Sequence, residues 1–375
     1  MPSISKSTCS TFPLIFSKRK QGSIRAKSFV ALRVVISSTA LLLLWTFQTT
    51  TNAQAISSTT KLSVADSAVE SVDRTKLAND SKKKILGAKR IVFLGDSNTH
   101  AGEWINQIET ALLSTQASVP EMINLGLPSE TCSGFSEPAH PFPRPNVQER
   151  LSRALEKTKP DLIFACYGMN DGIYHPFAEE RFKGFQAGIQ KIVDATAAAD
   201  IPLILITPPP FDALPMRKAG GLVPLDAKEF LWTKIYENYD DEVIQKYAQW
   251  MLTVNKPNCL VIDVHTPIKE YLADRRKTEP DFAFSKDGVH FDNAGHKVFA
   301  AVVLKSLNFD EALEHGEPKQ NDAVLQLVRQ RRKIQHLAWL TEVGHLRPGV
   351  QAGLPIDKAN EKTKDISEKI DSMTQ

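Results

Sequence analysis

The apolar positions of the chain fall into short solid runs, separated by stretches in which they recur every three or four residues. The first run is Ile91-Val92-Phe93-Leu94, closed by Gly95. A short unbroken apolar run bounded by turn formers predicts a strand covered on both faces. Further strands are predicted at Glu121–Leu125, ending at Gly126, and at Asp161–Tyr167, between Pro160 and Gly168. The last two are Ile201–Ile206, stopped by Thr207 and three prolines, and Leu260–Val264. Pro202 is tolerable because it stands at a strand start. Between the runs the period changes to that of a helix. Trp104, Ile105, Ile108, Ala111 and Leu112 share one face, as do Val147, Leu151, Ala154 and Leu155. Phe182, Phe185, Ile189, Ile192 and Val193 define another helix. The longest connection, Phe211 to Pro257, holds a Gly/Pro-rich loop and a helix through Tyr236, Val243, Tyr247 and Trp250. A last helix runs from Asn293 to about Leu307. Strands alternating with amphipathic helices predict an α/β fold, three layers α/β/α around a five-stranded parallel sheet. Right-handed crossovers cover both faces of such a sheet. The alternation alone leaves strand order open.

The flanks read differently. Residues 1–55 carry seven Lys/Arg and no acid, then an apolar core from Val34 to Phe47 and the small-residue site Ala53-Gln54-Ala55. This is the plan of a secretory signal peptide, with an apolar core shorter than the roughly 20 residues of a membrane span. The expectation is a secreted or periplasmic protein, with membrane contact only if the segment stays uncleaved as an anchor. Residues 56–88 are Ser/Thr/Lys/Asp-rich and read as an exposed linker with at most a marginal helix. The 89–310 region carries the alternation. Residues 311–375 form a helical C-terminal appendage without a core of its own: an amphipathic helix (Val324, Leu325, Leu327, Val328, Ile334, Leu337), a Gly/Pro segment near 344–353 and a polar tail.

Charge sharpens this picture. The whole chain is +3, but setting aside the first 55 residues leaves 39 basic against 43 acidic side chains. A mildly acidic body argues against a nucleic-acid partner bound through phosphate neutralisation. With Cys9 in the signal segment, Cys132, Cys166 and Cys259 remain. An odd count is not a full disulfide framework; Cys166 and Cys259 read as buried apolar residues, and one pair involving Cys132 stays open. No CxxC or His/Cys spacing implies a metal, and no cofactor is expected.

The ends of the strands carry the chemistry. Ser97 follows the first, Gly126 the second, Gly168-Met169-Asn170-Asp171 the third, and Asp287-Gly288-Val289-His290 comes after the fifth. Parallel strands end on one side of the sheet, so these groups converge on one edge. A serine hydroxyl needs a base to become a nucleophile, and His290 can supply it. Asp287 can accept the other imidazole N–H and fix the tautomer. The backbone N–H groups of Ser97 and Gly126 and the Asn170 amide would supply an oxyanion hole.

These four blocks, Gly95-Asp96-Ser97-Asn98-Thr99, the Gly126 block, Gly168-Met169-Asn170-Asp171 and Asp287-Gly288-Val289-His290, resemble those of the SGNH hydrolases, also called GDSL-type esterases and lipases. The resemblance covers roughly residues 89–308. It implies a flavodoxin-like sheet of order 2-1-3-4-5 and acyl-serine chemistry on carboxylic esters. Substrates in the family span acetylated carbohydrates, short-chain esters and lysophospholipids. Asn98 departs from the Leu or Ile common after the serine, as a polar residue able to face the pocket. Gly95-Asp96-Ser97-Asn98-Thr99 also lacks the second glycine of the lipase-type G-x-S-x-G elbow. Thr207-Pro208-Pro209-Pro210-Phe211 resembles a turn near the substrate entrance of family esterases.

Other residues have plainer readings. Asp171 reads first as a turn or cap residue, with positioning of Asn170 or the loop as the alternative, and His296 as structural. His100, His175 and His265 follow different strands without ligand spacing, and Arg329-Gln330-Arg331-Arg332-Lys333 reads as a solvated helix face. Of Trp232, Tyr236, Tyr239, Tyr247 and Trp250, some belong in the core and one or two suit a sugar platform. The leading expectation is a secreted esterase for short acyl groups, acetyl on a glycan among them, with a small ester or acylated carbohydrate as its partner. An O-acyltransferase with the same triad, or a non-catalytic glycan-binding envelope protein, are the alternatives.

Overall fold

The computed structural model describes residues 74–374 except 117–118 and 315–317. The expected signal segment and the first part of the expected linker lie outside the described residues. Five strands, β1 (Arg90–Gly95), β2 (Glu121–Asn124), β3 (Leu162–Cys166), β4 (Leu203–Ile206) and β5 (Cys259–Ile262), form one fully parallel sheet of order β2-β1-β3-β4-β5. This is the α/β architecture, and the 2-1-3-4-5 order, that the sequence and its family resemblance predict. A two-residue parallel pair, Leu222–Val223 with Ile235–Tyr236, stands apart from it.

Side chains alternate across the sheet, and helices bury both faces. In chain order the helices are α1 (Arg74–Gly87), α2 (Ser97–Ala101), α3 (Glu103–Leu113), α4 (Leu151–Thr158), α5 (Glu179–Ala198) and α6 (Ala213–Ala219). They continue as α7 (Gln245–Met251), α8 (His265–Arg275), α9 (Asn293–Ser306), α10 (Asp310–Glu314), α11 (Pro318–Val343) and α12 (Ile356–Thr374). Val92, Leu94, Ile163, Ala165, Leu203 and Leu205 point to one core, closed by α4, α5 and α7. Ile91, Phe93, Leu162, Phe164, Ile204 and Ile206 point to the other, closed by α3, α8 and α9. Phe93 stacks on Phe164 with ring centroids 4.9 Å apart, across the paired centre of the sheet. The three central strands are therefore apolar through their buried length and read as solid runs, while the edge strand β2 keeps Glu121 and Asn124 at its ends.

Three departures have physical causes. The helix expected after Ser97 is two helices, because Gly102 breaks it at φ +74. The second part of the expected linker, from Arg74, is a helix whose Ala78, Ser81 and Ile85 are buried. The C-terminal appendage packs back on the domain: Trp339, Leu340 and Val343 join the core under α4, while Val324 and Val328 meet Ile370 of α12 in a small core of their own. The arginine run, read as a solvated face, is overturned with it. Arg329 pairs with Glu103, Arg331 and Arg332 pair with Glu109, and both acids lie buried on the polar face of α3.

Candidate active site

The loop after β1 forces Ser97 into a fixed place. A Cβ on Gly95 would lie 2.2 Å from Thr99 Oγ1 and 2.9 Å from the Cys166 carbonyl, so only glycine lets β1 turn this tightly into α2. Asp96 caps α2, its carboxylate accepting from the Asn98 N–H at 3.1 Å. Ser97 is thus the first residue of that helix, with a backbone N–H that has no partner among the described residues. Burial pushes the Asp96 carboxyl up to about 7, against the Asn98 bond and the His290 charge, which lower it.

His290 reaches this serine from the loop between α8 and α9. Its Nε2 lies 2.8 Å from Ser97 Oγ, and its Nδ1 lies 2.7 Å from Asp287 Oδ2. With Nδ1–H donating to the carboxylate, Nε2 is left to accept the serine proton. The other oxygen of Asp287 accepts from the backbone N–H groups of Val289 (3.0 Å) and His290 (2.9 Å) and from Ser285 Oγ (2.8 Å). Partial burial works to raise the Asp287 carboxyl, yet the His290 ring and these N–H groups hold it well below the usual carboxylate range. Burial likewise opposes a charged His290, but the bond and charge of Asp287, with Asp96 behind, raise the imidazole above its ordinary value. The His290 side chain keeps 53% of its surface exposed, so the site opens directly to solvent.

A model of the GDSL-like lipase/acylhydrolase family matches residues 93–298, more than half of the chain. The chain belongs to that family. No curated protein sequence matches it. Among solved structures it is similar to a gut microbial diltiazem-metabolizing enzyme, at 19% identity and TM-score 0.45, covering 59% of this chain and 47% of that one. The chain thus spans about half the length of that protein. An acetyl-xylooligosaccharide esterase variant from Geobacillus stearothermophilus is similar at 19% identity and TM-score 0.40, covering 59% and 94%. A GDSL-like lipase from Bacteroides thetaiotaomicron is similar at 18% identity and TM-score 0.38, covering 63% and 94%.

Around the Ser97–His290–Asp287 chain, this family member places the other sequence-named residues unevenly. Asn170 is buried with Nδ2 donating to the Glu130 carbonyl at 3.1 Å, which leaves its second amide hydrogen uncommitted. The Gly126 N–H does not serve as an oxyanion donor, because it is spent on Asn124 Oδ1 at 2.8 Å. Gly126 is glycine for a steric reason: a Cβ there would lie 2.3 Å from the His100 nitrogen. Counting backbone donors through Leu125–Gly134 shows where the vacancy lies. Leu125 and Leu127 donate to β1, Glu130 to Leu127, Thr131 to Pro145, Cys132 and Ser133 to Asp171, and Gly134 to Thr131. Pro128 has no N–H, and Ser129 alone has one without a partner among the described residues. Ser129 is also left-handed, at φ +67, in the turn closed by Glu130 N–H on the Leu127 carbonyl. Proline followed by a left-handed residue is the pattern of a type II turn, where glycine is the unstrained choice. Pro128-Ser129 was the one sequence signal that could have pointed there.

Asn98 does not face the pocket. It is buried, donating from Nδ2 to the Val289 carbonyl at 2.9 Å and accepting at Oδ1 from the Phe291 N–H at 3.1 Å. It therefore clamps the backbone on both sides of His290 onto the nucleophile turn. Asn98→Ala leaves those two backbone groups unpaired, an expected loss of about 2 kcal/mol at roughly 1 kcal/mol per bond. The accompanying fall in kcat is about tenfold as His290 loosens; urea unfolding and steady-state kinetics check both.

Of the remaining polar residues, Asp171 does more than cap a turn, and the histidines sit where plainer readings put them. Asp171 accepts the Cys132 and Ser133 N–H groups, each at 2.9 Å, and so holds the loop beside Ser129. His100 lies against His336 of α11 (2.9 Å), His175 against the Ile173 carbonyl (2.6 Å) and His265 against Asp240 (3.2 Å). Among the described residues no group of three metal-ligating side chains comes together. His296 is buried on α9, and burial pushes its imidazole down to about 4. Cys132, Cys166 and Cys259 are all buried as free thiols. In the long connection, Tyr236, Tyr239 and Tyr247 are core residues, while Trp232 keeps half its surface exposed. Asp212 N–H donates to the Gly288 carbonyl at 2.9 Å, which seats the Pro208–Phe211 turn beside the Asp287 loop.

Proposed function

We propose that this protein is an exported esterase that hydrolyses short-chain carboxylic esters, acetyl groups on carbohydrate foremost, through an acyl-serine intermediate. The observation that carries the reading is the continuous chain Asp287–His290–Ser97, with bonds of 2.7 and 2.8 Å on either side of the imidazole. Ser97 Oγ attacks the ester carbonyl while its proton passes to His290 Nε2. Oxyanion charge then develops near the free N–H of Ser97, the second amide hydrogen of Asn170 and the N–H of Ser129, which takes the part first given to Gly126. His290 returns the proton to the leaving alcohol, and the cycle repeats with water as the attacking group. The half-exposed His290 supports an ester whose alcohol portion stays in solvent. The basic and apolar segment at residues 18–47 supports export.

Two measurements test this. On p-nitrophenyl esters, kcat/KM is expected to be highest for acetate and to fall at least tenfold by octanoate; a rise with chain length overturns the short-acyl reading. Secondly, kcat/KM is expected to rise with pH as His290 loses its proton, because only the neutral ring accepts from Ser97. The midpoint lies above the ordinary imidazole value of 6.5, since Asp287 favours the charged ring. Asp96 titrates in the same range. The diagnostic is therefore the displacement: Asp287→Asn moves the midpoint down as well as lowering kcat.

A further inference from the structure

Asn170 is held by a second set of residues whose arrangement reaches beyond packing. Its Oδ1 accepts from Arg144 Nη1 at 3.0 Å and from the Tyr174 hydroxyl at 2.9 Å. The same Arg144 Nη1 lies 3.3 Å from the Ser129 carbonyl, so one guanidinium ties together the loop turn and the amide. Arg144 is held in turn by Glu137 through a two-armed pair, Nε to Oε2 at 2.5 Å and Nη2 to Oε1 at 2.7 Å. The two side chains are only 2% and 0% exposed. Tyr174 is delivered by an unusual backbone: Ile173 and Tyr174 are consecutive left-handed residues, at φ +48 and +60. A β-branched residue in that region is strained, and such strain collects where function over-determines the geometry.

We propose that Arg144 and Tyr174 are positioning residues that lock and polarise the Asn170 amide as an oxyanion donor. Two donors on Oδ1, one of them cationic, forbid the flipped amide, which would set NH₂ against N–H and O–H. They also draw electron density from the amide nitrogen, so that its free hydrogen is a stronger donor where charge develops. A buried ion pair is poor value as a stabilising device, since desolvation offsets most of its attraction. Its use here is orientation: Glu137 fixes the fork of Arg144, and Arg144 fixes both Ser129 and Asn170. The inference rests on the acyl-serine reading above.

A double-mutant cycle on p-nitrophenyl acetate turnover tests it. Asn170→Ala alone is expected to lower kcat about 10²- to 10³-fold, as for other oxyanion donors. Tyr174→Phe, which removes one oxygen, lowers kcat roughly tenfold with KM unchanged, and Arg144→Lys lowers it roughly 30-fold, both by weakening the same donor. In the Asn170→Ala background Tyr174→Phe lowers kcat less than twofold, because the group it acts through is gone, while Arg144→Lys keeps only the part of its effect that runs through Ser129. Full multiplication of the Tyr174→Phe effect in that background, or an Arg144→Lys effect undiminished there, overturns the proposal, as does a KM change without a kcat change. Tyr174→Phe carries the test by itself if Arg144→Lys does not fold. Ser97→Ala separates the two levels: retained turnover there sinks the acyl-serine reading, whereas an inactive Ser97→Ala with a multiplicative cycle sinks only this inference.

Discussion

Ser97→Ala is expected to lower kcat on p-nitrophenyl acetate by about 10⁴-fold or more, with the folded protein unaltered. The hydroxyl is half-buried at the first position of α2, and its hydrogen bond is to the solvent-exposed His290 ring at 2.8 Å. Removing it therefore opens no large cavity and strands no buried partner, so the melting temperature should move by no more than a degree or two. His290→Ala should bring an equal loss, and the double variant should be no worse than either single one. Nucleophile and base act as one unit, and losing either abolishes the step. The remaining rate enhancement, about 10³- to 10⁴-fold over water in comparable serine enzymes, comes from binding and oxyanion donors that stay in place. A fluorophosphonate probe provides an independent reading: it should label the wild-type chain at Ser97 and leave both variants unlabelled. Labelling of Ser97→Ala at the wild-type rate would place the reactive nucleophile elsewhere.

How much of this was legible in the sequence follows from how each feature is encoded. The sheet was, because its central strands are buried on both faces and leave solid apolar runs, with the shorter Met122-Ile123 pair marking the edge strand. Ser97, Asn170, Asp287 and His290 were, because each stands just beyond a strand or in a short block whose placement the parallel topology dictates. Strand order came from the family resemblance, since alternation is silent about it. What escaped was everything set by a partner distant in the chain. Asn98 looked like a pocket residue because its partners, Val289 and Phe291, lie about 190 positions away. Gly126 looked like an oxyanion residue because a glycine after a strand has two uses, a free N–H and a close approach, and only coordinates reveal that the approach to His100 is the one in force. Arg144 carries no periodic signal: an arginine between two prolines in a loop reads as exposed until Glu137 is seen beneath it. The arginines of α11 failed for the same reason. Their complement, Glu103 and Glu109, lies on the polar face of α3, where alternation reads as solvent.

That pairing carries the second large prediction. Arg332→Ala is expected to destabilise the fold by about 3–5 kcal/mol, the range for breaking one partner out of a buried ion pair. Arg332 is 5% exposed on α11; its Nε donates to Asn106 Oδ1 at 2.7 Å, Nη1 to the Met122 carbonyl at 2.6 Å, and Nη2 to Glu109. Truncation removes all three donors at once, strands two buried oxygens and leaves Glu109 with Arg331 alone. The Met122 carbonyl belongs to β2, beside the strand that ends in the nucleophile turn, so the loss reaches the sheet as well as the helix contact. Arg332→Met keeps much of the volume without the charge, and the matched change Arg332→Met with Glu109→Leu should recover part of the stability, because a dry apolar pair leaves no uncompensated carboxylate. Urea unfolding of the three variants reads the outcome. If Arg332→Ala unfolds at the wild-type midpoint, the α11 arginines are the solvated face that their sequence suggests, and the appendage contributes nothing to the domain it packs against. A lowered midpoint with partial recovery in the double variant makes the appendage part of the folding unit that holds β2, and through it the loop carrying Ser129, in register with Ser97.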